Sequence, residues 1–325
     1  MKPLEAIFGS FILLLSLTGC HKDEHTRKAV FILLDGIPAD VLEETNTPIL
    51  DEISRMGAYT RAYVGGEKGG VSESPTISAV GYNSLLTGTW ANKHNVWGNG
   101  IKAPDYTYWT IFRAARNHDP SFKTAIFSTW LDNRTKLVGE GLEATDRFRF
   151  DFAFDGFEHD TVRFPHDEAR DYIRNIDELV ANEAADNIAT SAPDLSWVYL
   201  EYTDDMGHRF GDSPEMTRAV ELADDRVGRI WETIQLREKE YNEDWLIVVT
   251  TDHGRTASNG KGHGGQSKRE RTIWIVTNEN ELKPAFFQNP GIVDIMPSIC
   301  DFMGIELPQE IKSNLDGKSF IKTIK

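Results

Sequence analysis

The stretch WLIVVTTDHGRTASNGKGHGG, residues 245–265, begins as a strand suited to a core and ends in a loop of glycines and histidines. Apolar residues in unbroken succession, without polar alternation, suit a strand covered on both faces, as in the parallel sheet of an α/β fold. The run stops at Asp252 and His253, and Gly254 lets the chain leave the sheet there. A carboxylate and an imidazole at the rim of a core need partners, and a metal ion satisfies both.

Similar short apolar runs recur at 29–35, 124–129, 197–202 and 272–277, and each reads as a buried strand. Helical patterns lie between them at 167–189, 213–236 and 293–303. Another follows Thr47, which reads as an N-cap with Pro48 at the first helical position. RFRFDFAFDGF, residues 147–157, alternates like a half-buried strand. Strands alternating with helices predict a doubly wound α/β fold with a mostly parallel central sheet and helices on both faces. Ligands of such folds bind beyond the carboxyl ends of the strands. No repeat, long linker or low-complexity tract interrupts the pattern, so residues 29–325 read as a single domain.

The chain has 325 residues, 40% hydrophobic and 26% charged, which is globular composition rather than that of a disordered chain. Its formal net charge of -16 argues against binding a nucleic-acid polymer. Small phosphate esters remain compatible, because a local metal cluster outweighs the global field.

The N-terminus carries Lys2, an apolar stretch from Ala6 to Leu17 and then LTGC, ending at Cys20. The stretch is shorter than the ~20 apolar residues that span a bilayer, and it reads as a secretory signal. LTGC resembles the lipobox of bacterial lipoproteins, which implies acylation of Cys20 and export to a membrane-anchored position on the periplasmic face or the cell surface. Residues 1–20 then form the signal peptide and 21–28 a charged tether. With Cys20 lipidated, Cys300 has no partner, and the fold is expected to need no disulfide.

The candidate site residues collect at the predicted strand ends. Asp35 ends the first strand, Asp204 follows the third, and Asp252 with His253 follows the fourth. Asp204 and His208 stand four apart, a spacing that brings both to one side of a helical turn. With His263 they make a three-ligand N/O set, while Asp35, Asp252 and His253 make another. Two such sets on one rim suggest a two-metal centre for in-line displacement. Asp205 is the alternative to Asp204, and the step to His208 favours Asp204. Ser78 starts a helix that runs to Thr87-Gly88, where the helix dipole favours an alkoxide and the phosphoryl oxygens it attacks. The commonest reason for a serine at that place is N-capping. His94, His118, His159 and His166 read as surface or loop histidines, with His94 the best placed of them to line a cleft, and Tyr82, Trp90 and Trp97 read as core or as stacking surfaces for a leaving group.

LLDG at 33–36, the helix SAVGYNSLLTG at 78–88, D-x-x-x-H at 204–208, TDHG at 251–254 and GHG at 262–264 occur in the order seen in the alkaline phosphatase superfamily. The chain most resembles its nucleotide pyrophosphatase/phosphodiesterase branch. The Ser78 helix is also similar to that of cofactor-independent phosphoglycerate mutases, and GIVDIMPSICDFMGIELP followed by LDGKSF resembles the superfamily's C-terminal pattern. The resemblance runs from Asp35 to Phe320. It implies a zinc-dependent hydrolase of phosphodiester or pyrophosphate bonds in nucleotides or related small molecules. Asp35, Ser78, Asp252 and His253 would surround one Zn2+, and Asp204, His208 and His263 the other. Ser78 would be the nucleophile, its phosphoseryl intermediate hydrolysed by water.

Two departures stand out. The branch usually has Thr as nucleophile, with an Asn three positions on that holds a phosphoryl oxygen, whereas this chain has Ser78 and Gly81; a backbone N–H, Asn83 or Asn99 is the candidate substitute. The sulfatase signature, x-Pro-x-Arg after the nucleophile, is absent. No arginine follows Ser78 to grip a dianionic phosphate, which leaves Arg113 and Lys93 as candidates from elsewhere. The alternatives are a phosphomonoesterase, sulfatase or phosphonate hydrolase on the same scaffold, or a non-catalytic metal-binding surface lipoprotein.

Overall fold

Burial dictates the order of the sheet, because its most apolar strands lie at the centre. The computed structural model describes residues 25–322. Its strands are β1 (Thr26–Leu34), β2 (Ala58–Tyr63), β3 (Thr124–Ser128), β4 (Phe152–Phe154), β5 (Leu195–Leu200), β6 (Glu243–Thr250) and β7 (Thr272–Thr277). They form one sheet in the order β2-β7-β6-β1-β5-β3-β4. The helices are α1 (Ala39–Glu44), α2 (Pro48–Met56), α3 (Ser78–Thr87), α4 (Ala91–His94), α5 (Ile111–His118), α6 (Asp171–Ser191), α7 (Tyr202–Phe210), α8 (Pro214–Glu240), α9 (Lys268–Arg271), α10 (Ile295–Met303) and α11 (Gln309–Asn314).

β1 lies between β5 and β6 and runs parallel to both, with Leu33 opposite Tyr199 on one side and Thr250 on the other. β3 pairs in parallel with β5 and β4. Only the β6–β7 and β7–β2 pairings are antiparallel. The expected doubly wound, mostly parallel sheet is therefore the one observed. Successive residues of β1 serve opposite cores, as the strand's period of two requires. Phe31 and Leu33 pack with Tyr82, Phe112 and Ile299 from α3, α5 and α10. Val30, Ile32 and Leu34 pack with Val180, Val220 and Trp231 from α6 and α8.

Several boundaries differ from the sequence pattern. β2 was not evident from the sequence, because AYTRAY pairs at the sheet edge and buries only alternate residues. The aromatic alternation at 147–157 yields strand only at Phe152–Phe154, while Phe148 and Phe150 pack against Phe112 from a loop. α6 starts at Asp171 rather than 167, and α10 is preceded by a 3-10 turn at Ile292–Asp294. Thr47 holds the N-cap position of α2 but makes no capping bond. Asp224 of α8 does so instead, accepting from Ile49 N (3.1 Å) and Leu50 N (2.9 Å), and burial pushes its carboxyl up to about 6. Cys300 is a buried free thiol. The signal peptide, Cys20 and residues 21–24 of the tether lie outside the described residues, and the last three tether residues, 26–28, already belong to β1.

Candidate active site

The register of β1 against its neighbours brings Asp35, the segment after Leu200 and the segment after Thr250 to one rim of the sheet. α7 begins directly beyond β5, and Asp204 and His208 lie on its face, with His208 Nε2 3.2 Å from Asp204 Oδ2. α3 delivers Ser78 from the opposite side. Its N-cap is Ile77, and Ser78 makes no capping bond. Asn99 does that work, its Oδ1 accepting from Ala79 N at 3.0 Å. The capping explanation for Ser78 thus fails, and its hydroxyl points into the cluster, 3.4 Å from His253 Nε2.

Hydrogen bonds orient every ring and carboxylate. His253 Nδ1 faces Gly254 O at 3.0 Å and His263 Nδ1 faces Thr76 O at 2.9 Å. A carbonyl oxygen only accepts, so both rings carry their proton on Nδ1 and present an Nε2 lone pair to the cluster. Asp35 Oδ2 accepts from Tyr199 Oη at 2.8 Å and from Tyr82 Oη. Asp252 Oδ1 accepts from Gly36 N at 3.0 Å. The second oxygens, Asp35 Oδ1 and Asp252 Oδ2, are buried with no hydrogen-bond partner among the described residues. They lie 3.6 and 3.2 Å from His253 Nε2, lone pair against lone pair. Such an arrangement is repulsive unless a proton or a cation lies between the atoms, and it suits a metal ligand set.

The second set adjoins the first. His263 Nε2 is 3.1 Å from His208 Nε2 and 3.9 Å from Asp204 Oδ1. The His253 and His263 rings stack with centroids 3.7 Å apart. His253 Nε2 is also 4.0 Å from Asp204 Oδ1, so His253 is placed to serve either set. Burial, with the neighbouring charges of Asp252 and Asp204, pushes the Asp35 carboxyl well above the carboxylate range. Burial likewise pushes Asp252 up to about 7. Asp204 is held below the usual range despite its burial, by the hydrogen bond from His208 and the charge of Arg255. His208 is raised by Asp204, whereas burial lowers His253 and His263.

Arg255 was missed in the sequence, although it directly follows TDHG. Its buried guanidinium donates to Gly36 O (2.9 Å), to Asp204 O (2.8 Å) and to Asp204 Oδ1. Gly207 makes room for it, since a Cβ there would fall 2.1 Å from Arg255 Cζ. Tyr82, read as core or stacking surface, and Tyr199 orient Asp35. Their signal was an aromatic with a polar tip inside an apolar stretch.

The preference for Asp204 over Asp205 agrees with the structure, while other expectations are corrected. Asp205 is engaged by Arg170 through bonds of 2.8 and 2.7 Å, leaving Asp204 for the cluster. His94 does not line the cleft: it is fully buried, bonded to Ser84 Oγ at 3.0 Å, and burial lowers its pKa to about 3. Gly81 offers no free donor, because its N–H bonds Ile77 O at 3.1 Å. Its lack of a side chain lets α3 approach Asp252, whose carbonyl oxygen would lie 2.8 Å from a Cβ. Asn83 is buried and makes no hydrogen bond to the cluster among the described residues. Asn99 remains at the helix start beside Ser78. Arg113 is committed to Asp146 (2.6 Å), and Lys93 to Asp316 (2.6 Å).

The sequence model for "Type I phosphodiesterase / nucleotide pyrophosphatase" matches residues 29–268, which carry every one of these groups. The chain belongs to that family. It is 26% identical over 347 residues to GPI ethanolamine phosphate transferase 2 of Schizosaccharomyces pombe, covering 93% of this chain and 41% of that protein. The chain thus spans about two fifths of that relative's length. Its fold is similar to murine ectonucleotide pyrophosphatase / phosphodiesterase 5, solved as an inactive variant in complex with AMP, at a TM-score of 0.62 and 13% identity, covering 87% and 96% of the two chains. It is also similar to the phosphonate monoester hydrolase of Silicibacter pomeroyi, at a TM-score of 0.60 and 16% identity, covering 90% and 75%.

Proposed function

We propose that the protein hydrolyses phosphodiester or pyrophosphate bonds of nucleotides or related small molecules, with Ser78 as nucleophile and two zinc ions as cofactors. One observation carries the reading: Ser78 Oγ and the unpartnered oxygens of Asp35 and Asp252 all lie within 3.6 Å of His253 Nε2. Asp35, Ser78, Asp252 and His253 would hold one ion, and Asp204, His208 and His263 the other. When bound, the ions supply positive charge that acidifies the serine hydroxyl and neutralises the phosphoryl oxygens in the transition state.

The chain's own groups supply the rest. Ser78 Oγ gives up its proton to solvent and forms a bond to phosphorus while the bond to the leaving oxygen breaks, and the departing alkoxide takes a proton from solvent. The N-terminal turn of α3 directs its dipole at the phosphoryl oxygens, and Asn99, held at that turn by the bond from Ala79 N to its Oδ1, would offer its Nδ2 to one of them. Water then attacks phosphorus, the bond to Ser78 Oγ breaks, and the serine recovers its proton. A diester is preferred over a monoester because Arg255, the cation at the cluster, and the other candidates, Arg113 and Lys93, are all engaged by carboxylates and none is free to pair with a second phosphate charge.

The test is acid-quenched mass spectrometry of the peptide bearing Ser78 during turnover. A phosphoryl adduct on Ser78, absent from Ser78→Ala, is expected; turnover by Ser78→Ala at the native rate contradicts the reading. The fission-yeast relative is a transferase by name, and this favours a second outcome in which an alcohol competes with water for the same adduct. A transfer product formed with added ethanolamine would mark that case. Anchoring by lipid at Cys20, outside the cytoplasm, completes the proposal. Cys20→Ala is expected to move the protein from the membrane to the soluble fraction, and its retention in the membrane would refute the anchor.

A further inference from the structure

On the same side of the sheet lies an open cavity of about 970 Å³, lined by none of the candidate ligands nor by Ser78. Its walls include Tyr63 at the end of β2, Lys68, Trp90, Lys93, Lys268 and Arg271. Those four cations face only two carboxylates, Glu67 and Asp316, in a chain whose net charge is -16. Lys93 is neutralised by Asp316 at 2.6 Å, but the others are not neutralised in this way. Arg271 donates to Gly65 O (2.9 Å), to Gly66 O and to Gln266 Oε1 (2.5 Å), all uncharged acceptors. Burial pushes its pKa down against the charge of nearby Glu73, with which it makes no hydrogen bond, whereas directly bonded carboxylates raise Arg134 and Arg170. Lys68 donates to Gln266 O at 3.0 Å. The Lys268 ammonium has no hydrogen bond or ion pair among the described residues.

The cavity's place relative to the cluster follows from strand register. Tyr63 pairs with Thr272, and Thr250 with Ile275, so the two strand ends are separated by β7 and by three residues along it. Strand spacing and rise put the cavity on the order of 10 to 15 Å from the end of β6. Its walls also continue into the catalytic segments. Gln266 Nε2 bonds Ser74 O at 2.5 Å, and Thr76 Oγ1 bonds Gly265 O at 2.9 Å, which ties the loop leading to Ser78 to the one carrying His263. A concave site of this size accommodates a small molecule, and its uncompensated cations select oxyanions.

We infer that this cavity is a second anion site, which receives a phosphate, sulfate or carboxylate group carried by the substrate on an arm that reaches on the order of 10 to 15 Å from the end of β6. The identity of the ligand as substrate rests on the phosphoesterase reading; the site's affinity for anions does not.

The test uses the full, metal-loaded chain and two p-nitrophenyl phosphodiesters with the same leaving group. The retained arm spans the same distance in both and ends either in a phosphonate or in a hydroxyl. Wild type should show a KM about tenfold lower for the phosphonate-ended ester at equal kcat. Lys68→Glu with Lys268→Glu should abolish that preference without altering turnover of bis(p-nitrophenyl) phosphate. Lys239→Glu with Lys312→Glu, which changes the net charge equally at exposed positions elsewhere, should preserve it. Equal KM values in wild type, or a preference that survives the Lys68/Lys268 reversal, overturns the inference. If neither ester nor bis(p-nitrophenyl) phosphate turns over, the phosphoesterase reading has failed, and calorimetry with the phosphonate-ended alcohol alone decides the cavity. Binding that is lost in the Lys68/Lys268 variant supports the anion site, and no binding to wild type overturns it.

Discussion

Replacing Asp252 by asparagine should make the metal-free protein more stable while weakening its hold on metal. The Asp252 carboxyl is buried, its Oδ1 accepts from Gly36 N, and its Oδ2 faces the His253 Nε2 lone pair at 3.2 Å. Burial holds its folded-state pKa at about 7. Below about pH 4 the group is protonated in folded and unfolded chains alike and contributes nothing. Between about pH 4 and 7 only the unfolded chain ionises, so folding is progressively penalised; above 7 the full penalty applies. Three pH units at about 1.4 kcal/mol each give a penalty of up to about 4 kcal/mol. Asparagine cannot ionise, keeps an oxygen for Gly36 N and places an N–H against His253 Nε2. In EDTA at pH 8, Asp252→Asn should therefore melt roughly 8 °C above wild type by circular dichroism. The gap should narrow at pH 4.5 and close in zinc at a thousandfold excess over Kd, where wild type gains about 4 kcal/mol through a site the variant has weakened. An asparagine variant that melts at or below wild type in EDTA at pH 8 would refute the claim that these carboxylates are held together against their own repulsion.

Ser78→Ala should lower kcat at least ~10³-fold while zinc stoichiometry, measured by calorimetry, is retained. Tyr82→Phe removes one of the two hydroxyls at Asp35 Oδ2 and should weaken metal binding ~10- to 100-fold in a chelator competition, with the fold intact by circular dichroism. Gly81→Ala forces α3 away from Asp252, whose backbone oxygen would sit 2.8 Å from the new Cβ; kcat should fall more than KM changes, since Ser78 shifts relative to the cluster. Gly207→Ala would place a methyl on the Arg255 guanidinium, and a loss of roughly 2 kcal/mol in urea unfolding is expected.

The strands and the rim were legible because burial on both faces writes itself into a sequence as unbroken apolar runs, and three of those runs ended in a group with chemistry. The i, i+4 step between Asp204 and His208 was equally legible, being a property of one helix turn. What could not be read is contact across the sheet. That Asp224 rather than Thr47 caps α2, and that Asn99 rather than Ser78 caps α3, depends on residues brought in from elsewhere in the chain. His94 and Asn83 looked like site residues because they are polar near a helix of interest, yet both are buried. Arg255 is the opposite case, a charged residue whose burial depends on two distant glycines, Gly36 and Gly207, that leave it room. β2 was hidden because an edge strand buries only half its side chains, and its partner β7 lies more than 200 residues away.

The most direct measurement is the initial rate of the zinc-loaded chain on bis(p-nitrophenyl) phosphate and on p-nitrophenyl phosphate at matched concentration, with Ser78→Ala alongside. The expected result is faster turnover of the diester, abolished by EDTA and by Ser78→Ala and restored to wild type by zinc. Preference for the monoester, or turnover that survives either treatment, would contradict the assignment of Ser78 and the metal cluster to phosphodiester cleavage.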